Sequence, residues 1–145
     1  MNIIEKSLEI ALKAYLGQKD KAGQPYILHP LRIMAKMETE DEMSVAILHD
    51  VIEDSDYTAN DLLHEGIPSN VVEAVQLLSK VEGENYDQFV GRVLTNKLAS
   101  KVKKADIEDN INILRLDSVS DIDLKRVAKY HKAWKKLDVF SRHAD

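Results

Sequence analysis

The chain contains no cysteine, and its 145 residues include only five glycines, three prolines and 6% aromatic residues. Without cysteine there is no disulfide framework, no thiolate metal site and no thiol nucleophile, so any metal site draws on His, Asp and Glu alone. The same absence fits a reducing compartment, and a cytoplasmic protein is expected. So little glycine and proline excludes collagen-like and low-complexity chains. No apolar run reaches the roughly 18 residues that suggest a membrane span. The opening residues, MNIIEKSLEIALKAYLG, carry Glu5, Lys6, Glu9 and Lys13 inside their apolar pattern, which excludes a signal peptide as well. Positive charge is also scarce, with 20 Lys and Arg against 25 Asp and Glu, for a formal net charge of −5. That balance argues against a surface for nucleic-acid polymers, whose phosphates are held by Lys and Arg. An anionic small molecule would need a metal or local lysines.

What is present is a globular composition, 44% hydrophobic and 31% charged. At this length roughly two-thirds of the unfolded surface can be buried, so one domain over residues 1–145 is expected around one core.

The apolar period is helical nearly throughout. Ile3, Ile4, Leu8, Ala11, Leu12 and Tyr15 mark a helix over residues 2–16 that stops at Gly17. Residues 17–26, GQKDKAGQPY, read as an ordered loop, and Pro30 opens a second helix running to about Met37. A third should cover Glu40 to Glu53, with Met43, Ala46, Ile47, Val51 and Ile52 inward. Thr58 caps a short helix closing at Gly66, and Pro68 starts another through Leu78. Tyr86 to Leu94 and Leu98 to Leu116 follow, with Asn96 as a cap between them. The last helix runs from near Asp121 to Phe140 and should bury Leu124, Val127, Ala128, Tyr130, Trp134 and Leu137. No segment alternates as a strand does, so the expected class is all-α, with seven or eight helices.

Chemistry concentrates in AILHDVIED, residues Ala46 to Asp54. On a helix His49 and Asp50 stand about 100° apart and Glu53 lies one turn on, so all can address one pocket. His29 after the loop and Asp106 in VKKADIEDN complete a nitrogen and oxygen set suited to a divalent ion. Each has a plainer explanation. A lone histidine in a helical protein is more often structural, and His64, His131 and His143 are read so. A charged run such as Glu108 to Asp109 is usually a solvated helix face, and salt bridging competes with metal binding for Asp50, whose burial unpaired would be costly.

The segments DKAGQPYILHPLRI, VAILHDVIEDSDYT and KVKKADIEDN, in that order, resemble the HD superfamily of metal-dependent phosphohydrolases. The likeness is to the hydrolase domain of RelA/SpoT-type alarmone enzymes and their small stand-alone relatives. The resemblance implies a single HD-type helical domain in which His29, His49, Asp50 and Asp106 hold one divalent metal, typically Mn²⁺. It places Glu53 and Asp54 beside an attacking water, Asn110 and Lys21 at the substrate, and Lys103 either at the substrate or on a solvated helix face. Asp109 is expected behind the ligands or in solvent.

The chain also departs from these relatives. Asp20 precedes Lys21 where they usually carry Arg-Lys, Ile107 to Asp109 replace their Arg-Leu-His, and Tyr15 stands where they commonly place a histidine. The ligands are complete while their surroundings differ, which points to a phosphohydrolase with altered substrate choice. The expected substrate is a small phosphorylated metabolite, with a nucleotide favoured and (p)ppGpp 3′-pyrophosphate hydrolysis the nearest named activity; an oligomer is compatible. Two alternatives stand beside it: a nucleotide-sensing HD domain without turnover, and a helical interaction module whose acids are merely salt-bridged.

Overall fold

In the computed structural model, which describes residues 1–143, nine α-helices follow one another with a single 3-10 turn before the last, and no strand forms among the described residues. The helices are α1 (Ile3–Ala14), α2 (Leu28–Met34), α3 (Glu40–Leu48), α4 (Val51–Asp54), α5 (Ala59–His64), α6 (Ser69–Leu77), α7 (Tyr86–Val93), α8 (Lys97–Asn110) and α9 (Asp121–His143). The 3-10 turn is Ile113–Arg115. The all-helical expectation holds.

Side chains start most of these helices by taking orphan N–H groups. Asn2, Thr39, Thr58 and Asn85 each form a reciprocal capping box with Glu5, Glu42, Asp61 and Gln88. Asn96 accepts from Ala99 N–H at the head of α8, the cap its position suggested. Gly66, with φ 94, closes α5 in a left-handed conformation that few other residues tolerate.

Helix α3 is the hub. Ser44, Val45, Ala46, Ile47 and Leu48 are all buried, so it shows no polar face along this stretch and packs against α1, α2, α6 and α8. Full burial of an aliphatic side chain such as Ile47 or Leu48 stabilises by about 1.5–3 kcal/mol. The polar Ser44 survives there because its hydroxyl meets Ser7 Oγ of α1 at 2.5 Å, and Ser7 donates onward to Ile3 O. Helix α9 packs chiefly on α8, with Tyr130 meeting Tyr86 of α7 at its edge, so only a narrow stripe is covered.

Several expectations are corrected. The helix expected over Glu40 to Glu53 is broken at His49 and Asp50 into α3 and α4. That expected to Leu116 ends at Asn110, followed by the 3-10 turn. On α9 the buried residues are Ala133 and Leu137, with Val127, Tyr130 and Trp134 half-buried, whereas Leu124 and Ala128 are exposed because nothing packs over that side. Leu12 of α1 is exposed for the same reason.

Candidate metal centre

The break after α3 aims the site. In an unbroken helix Asp50 N–H would donate to Ala46 O. Instead Ala46 O accepts from His49 Nδ1–H at 2.7 Å, and Asp50 N–H donates to Tyr15 Oη at 3.2 Å. The chain turns there, and the Asp50 carboxylate meets His49 Nε2 at 3.0 Å. Its other partner is Tyr26, whose hydroxyl donates to Asp50 Oδ2.

Helices α2 and α8 bring the remaining candidates from either side. His29 Nε2 lies 2.8 Å from Asp106 Oδ1, and His49 Nε2 lies 3.4 Å from the same oxygen. His29, His49 and Asp50 each offer a ligand atom within 4.8 Å of the others, a group able to hold a metal ion. Asp106 joins them through its contacts with both imidazoles, and His29, His49 and Asp106 are at most 5% exposed.

The donor set fits a cation by its proton count. His49 Nδ1 faces the Ala46 carbonyl, an acceptor that obliges this nitrogen to carry the proton, while His29 has a carboxylate oxygen at each ring nitrogen, Asp109 Oδ2 at 2.6 Å from Nδ1 and Asp106 Oδ1 at 2.8 Å from Nε2. In neutral imidazoles His49 Nε2 is then a bare lone pair near carboxylate oxygens, buried with no hydrogen-bond partner, and one nitrogen of His29 likewise faces a carboxylate without a proton. Lone pairs facing lone pairs repel unless a cation lies between them. Burial lowers the affinity of both imidazoles for a proton, yet Asp106, with Asp109 at His29 and Asp50 at His49, outweighs it and raises both pKa values. The cluster thus seeks positive charge, and its imidazole and carboxylate composition suits a divalent ion.

Behind these groups stands a shell of supporting charges. Asp109 Oδ1 and Oδ2 accept from Arg32 Nε and Nη2 at 2.7 and 2.9 Å, and Arg115 Nη1 adds a bond at 3.3 Å. Burial would lift the Asp109 carboxyl, but His29, Arg32 and Arg115 hold it well below the usual carboxylate range. A carboxylate that fixes the tautomer of a ligating histidine is a recurrent support in metal sites. Asp109 is therefore buried behind His29 and is no solvated helix face. Lys103 Nζ donates to Asp106 Oδ2 at 2.9 Å beneath the rings of Phe89 and Tyr86, so it too is not in solvent. Asn110 Nδ2 donates to Asp106 Oδ1 at 3.0 Å.

Of the two acids on α4, Glu53 Oε1 accepts from Lys80 N–H at 2.9 Å. Asp54 stands closer to the ligands in charge: burial, then Asp50 and Glu53, push its carboxyl up to about 6. A cleft of about 340 Å³ opens beside His29, lined by Lys21, Tyr26, Arg32, Asn110, Arg126 and Tyr130 among others. A larger cavity of about 660 Å³ between α3, α8 and the end of α9 contains none of the candidate ligands, so the smaller cleft is the relevant one. Asp20 spends its carboxylate on Ala22 and Gln24 N–H, shaping the loop that carries Lys21. His64, His131 and His143 are exposed and take no part.

Sequence reasoning did not single out Tyr26, Arg32 or Arg115. One signal was available, since His29 and Arg32 stand three apart on α2 as Asp106 and Asp109 do on α8, which places each pair on one helix face. Nothing local marks Arg115, which reaches back from the 3-10 turn.

No protein-family model matches the chain. It is 35% identical over 127 residues to the guanosine-3′,5′-bis(diphosphate) 3′-pyrophosphohydrolase of Vibrio cholerae, an alignment covering 77% of this chain and 18% of that protein. The protein of the same description from Aquifex aeolicus is 28% identical over 123 residues, again 77% of this chain and 18% of the relative. A GTP pyrophosphokinase of Streptomyces coelicolor is 29% identical over 150 aligned positions, 95% of this chain and 17% of the relative. The chain thus spans less than a fifth of the length of these curated relatives. Among solved structures it matches a protein described as a metazoan ortholog of SpoT that hydrolyzes ppGpp. There the TM-score is 0.69 and identity 20%, with 98% of this chain and 95% of that one covered, which establishes a shared fold. In sequence and in fold, the chain is similar to the HD-type hydrolase domain of RelA/SpoT-type proteins.

Proposed function

We propose that the chain is a single HD-type domain acting as a metal-dependent phosphohydrolase on a small phosphorylated metabolite, a nucleotide in the favoured case. One observation carries this reading: the imidazoles of His29 and His49 and the carboxylates of Asp50 and Asp106 converge in one cluster, and His29 opens onto a cleft that carries Lys21, Arg32 and Arg126. His29, His49, Asp50 and Asp106 would hold the ion, with Mn²⁺ the proposed metal. When bound, such an ion supplies a lowered water pKa and offsets phosphoryl charge.

The remaining work belongs to the chain's own groups. Asp54, whose carboxyl is pushed up to about 6, would take or return a proton near neutral pH. Glu53, held by Lys80 N–H, orients the water beside it. Lys21 and Arg126 attract the phosphate, while Asn110 ties the cleft wall to Asp106. Lys103 keeps Asp106 ionised, since burial favours the neutral acid and Lys103 heads the groups opposing it. Tyr26 and Tyr130 give the cleft aromatic faces against which a base can stack.

The relatives' descriptions name guanosine 3′,5′-bis(diphosphate) as substrate, so removal of its 3′-pyrophosphate is the nearest named activity. Asp20 supplies no planar cation to a guanine, which favours a substrate preference shifted from theirs. The proposed setting is the cytoplasm; no described helix is long and apolar enough to cross a membrane. The test is a screen of phosphorylated nucleotides, guanosine bis(diphosphate) included, with purified protein and Mn²⁺. Turnover that disappears in Asp50→Ala and on chelation is expected. Metal binding without turnover of any compound would instead support a sensing domain.

A further inference from the structure

The loop between α6 and α7, residues 78–85, carries a fastening of its own. From α7, Arg92 Nε and Nη2 fork onto Glu84 Oε2 and Oε1 at 2.5 and 2.9 Å, and Nη2 also donates to Ser79 O at 3.0 Å. Glu84 Oε1 accepts Val81 N–H at 3.1 Å as well. Arg92 thus grips the loop on both sides of Lys80. That residue's N–H is the only hydrogen-bond donor to the Glu53 side chain among the described residues, at 2.9 Å. Side-chain exposure of 31% for Arg92 and 10% for Glu84 shows a pair drawn partly out of solvent, and the Arg92 guanidinium sits over the Phe89 ring at 5.7 Å.

We propose that Arg92 is a positioning residue for Glu53, acting through the 79–84 loop, whose Lys80 N–H fixes the Glu53 carboxylate. This rests on the reading of Glu53 as the acid that orients water. A forked arginine pair fixes direction as well as distance, which a single charge does not. Released from it, a glycine-containing loop samples many conformations, and Glu53 loses its only fixed partner. Water orientation depends on placement within fractions of an ångström, so loss of the clamp acts on turnover more than on binding.

The experiment compares wild type, Arg92→Gln, Arg92→Lys, Glu53→Gln and the Glu53→Gln/Arg92→Gln double variant, all loaded with Mn²⁺. Arg92→Gln should lower kcat about tenfold with KM and Mn²⁺ affinity unchanged, and Arg92→Lys, which keeps charge without the fork, should fall between. In the Glu53→Gln background the Arg92 change should add nothing. A full kcat in Arg92→Gln, or a further loss in the double variant, overturns the proposal. Amide hydrogen exchange at Lys80 reads the clamp without any turnover and should quicken in both single Gln variants. If wild type hydrolyses nothing, the phosphohydrolase reading fails separately, and unchanged Lys80 exchange in Arg92→Gln would still overturn the link from Arg92 to Glu53.

Discussion

Replacing Asp109 by alanine would strand His29 Nδ1–H, Arg32 and Arg115 together, because its carboxylate accepts from all three. Removing one partner of a buried charge cluster costs about 3–5 kcal/mol, at the upper end only where the arginines cannot reach water; Arg32 and Arg115 are about one-third exposed, so the lower end is expected. Loss of the group that fixes a ligating imidazole typically weakens metal binding about 10–100-fold. Urea unfolding and Mn²⁺ titration of Asp109→Ala should show both losses, and unchanged Mn²⁺ affinity would mean that His29 is not a ligand. The residue types were legible at this scale, since HD at the end of an apolar helix marks a carboxylate that needs a positive partner. Asp109 was harder to place, because a helix acid followed by polar neighbours resembles a solvated face until Arg32 and Arg115 arrive from other segments.

The turn between α3 and α4 is the element on which the centre depends, and its cause is tertiary. His49 Nδ1–H takes the carbonyl that Asp50 N–H would have used, and Tyr15 supplies the substitute acceptor. A period of apolar residues through Ala46 to Ile52 carries no trace of that exchange, so a continuous helix was the natural expectation. The helix starts were readable because capping is local: Thr58 and Asn96 sit in the chain beside the N–H groups they satisfy. The last helix shows the converse, since its apolar residues outnumber the positions that α8 covers, and only packing decides which are used. Tyr15→Phe should leave Asp50 N–H without its acceptor at a cost of about 1–3 kcal/mol. Unfolding with and without Mn²⁺ should show a larger loss in the metal-loaded protein, because Asp50 is then both loosened and needed. An equal loss in both states would confine Tyr15 to packing.

At the scale of the molecule, the proposed ligands lie on α2, the α3 to α4 turn and α8, and α3 passes through the middle as an apolar post that holds the others in register. Most of this plan follows from helical period and caps, while the cleft follows from charges that are far apart in sequence, as Lys21 and Arg126 are. Its relatives are several times longer, and under the proposed function the substrate would meet this cleft's cations and tyrosines. The central claim is that one divalent ion completes the cluster of His29, His49, Asp50 and Asp106. Mn²⁺ titration followed by electron paramagnetic resonance tests it most directly, with circular dichroism to confirm that each protein is folded. One tightly held Mn²⁺ per chain is predicted for wild type and none for a folded Asp50→Ala. A folded wild-type protein that binds no Mn²⁺, or binds it equally well without Asp50, would contradict the account.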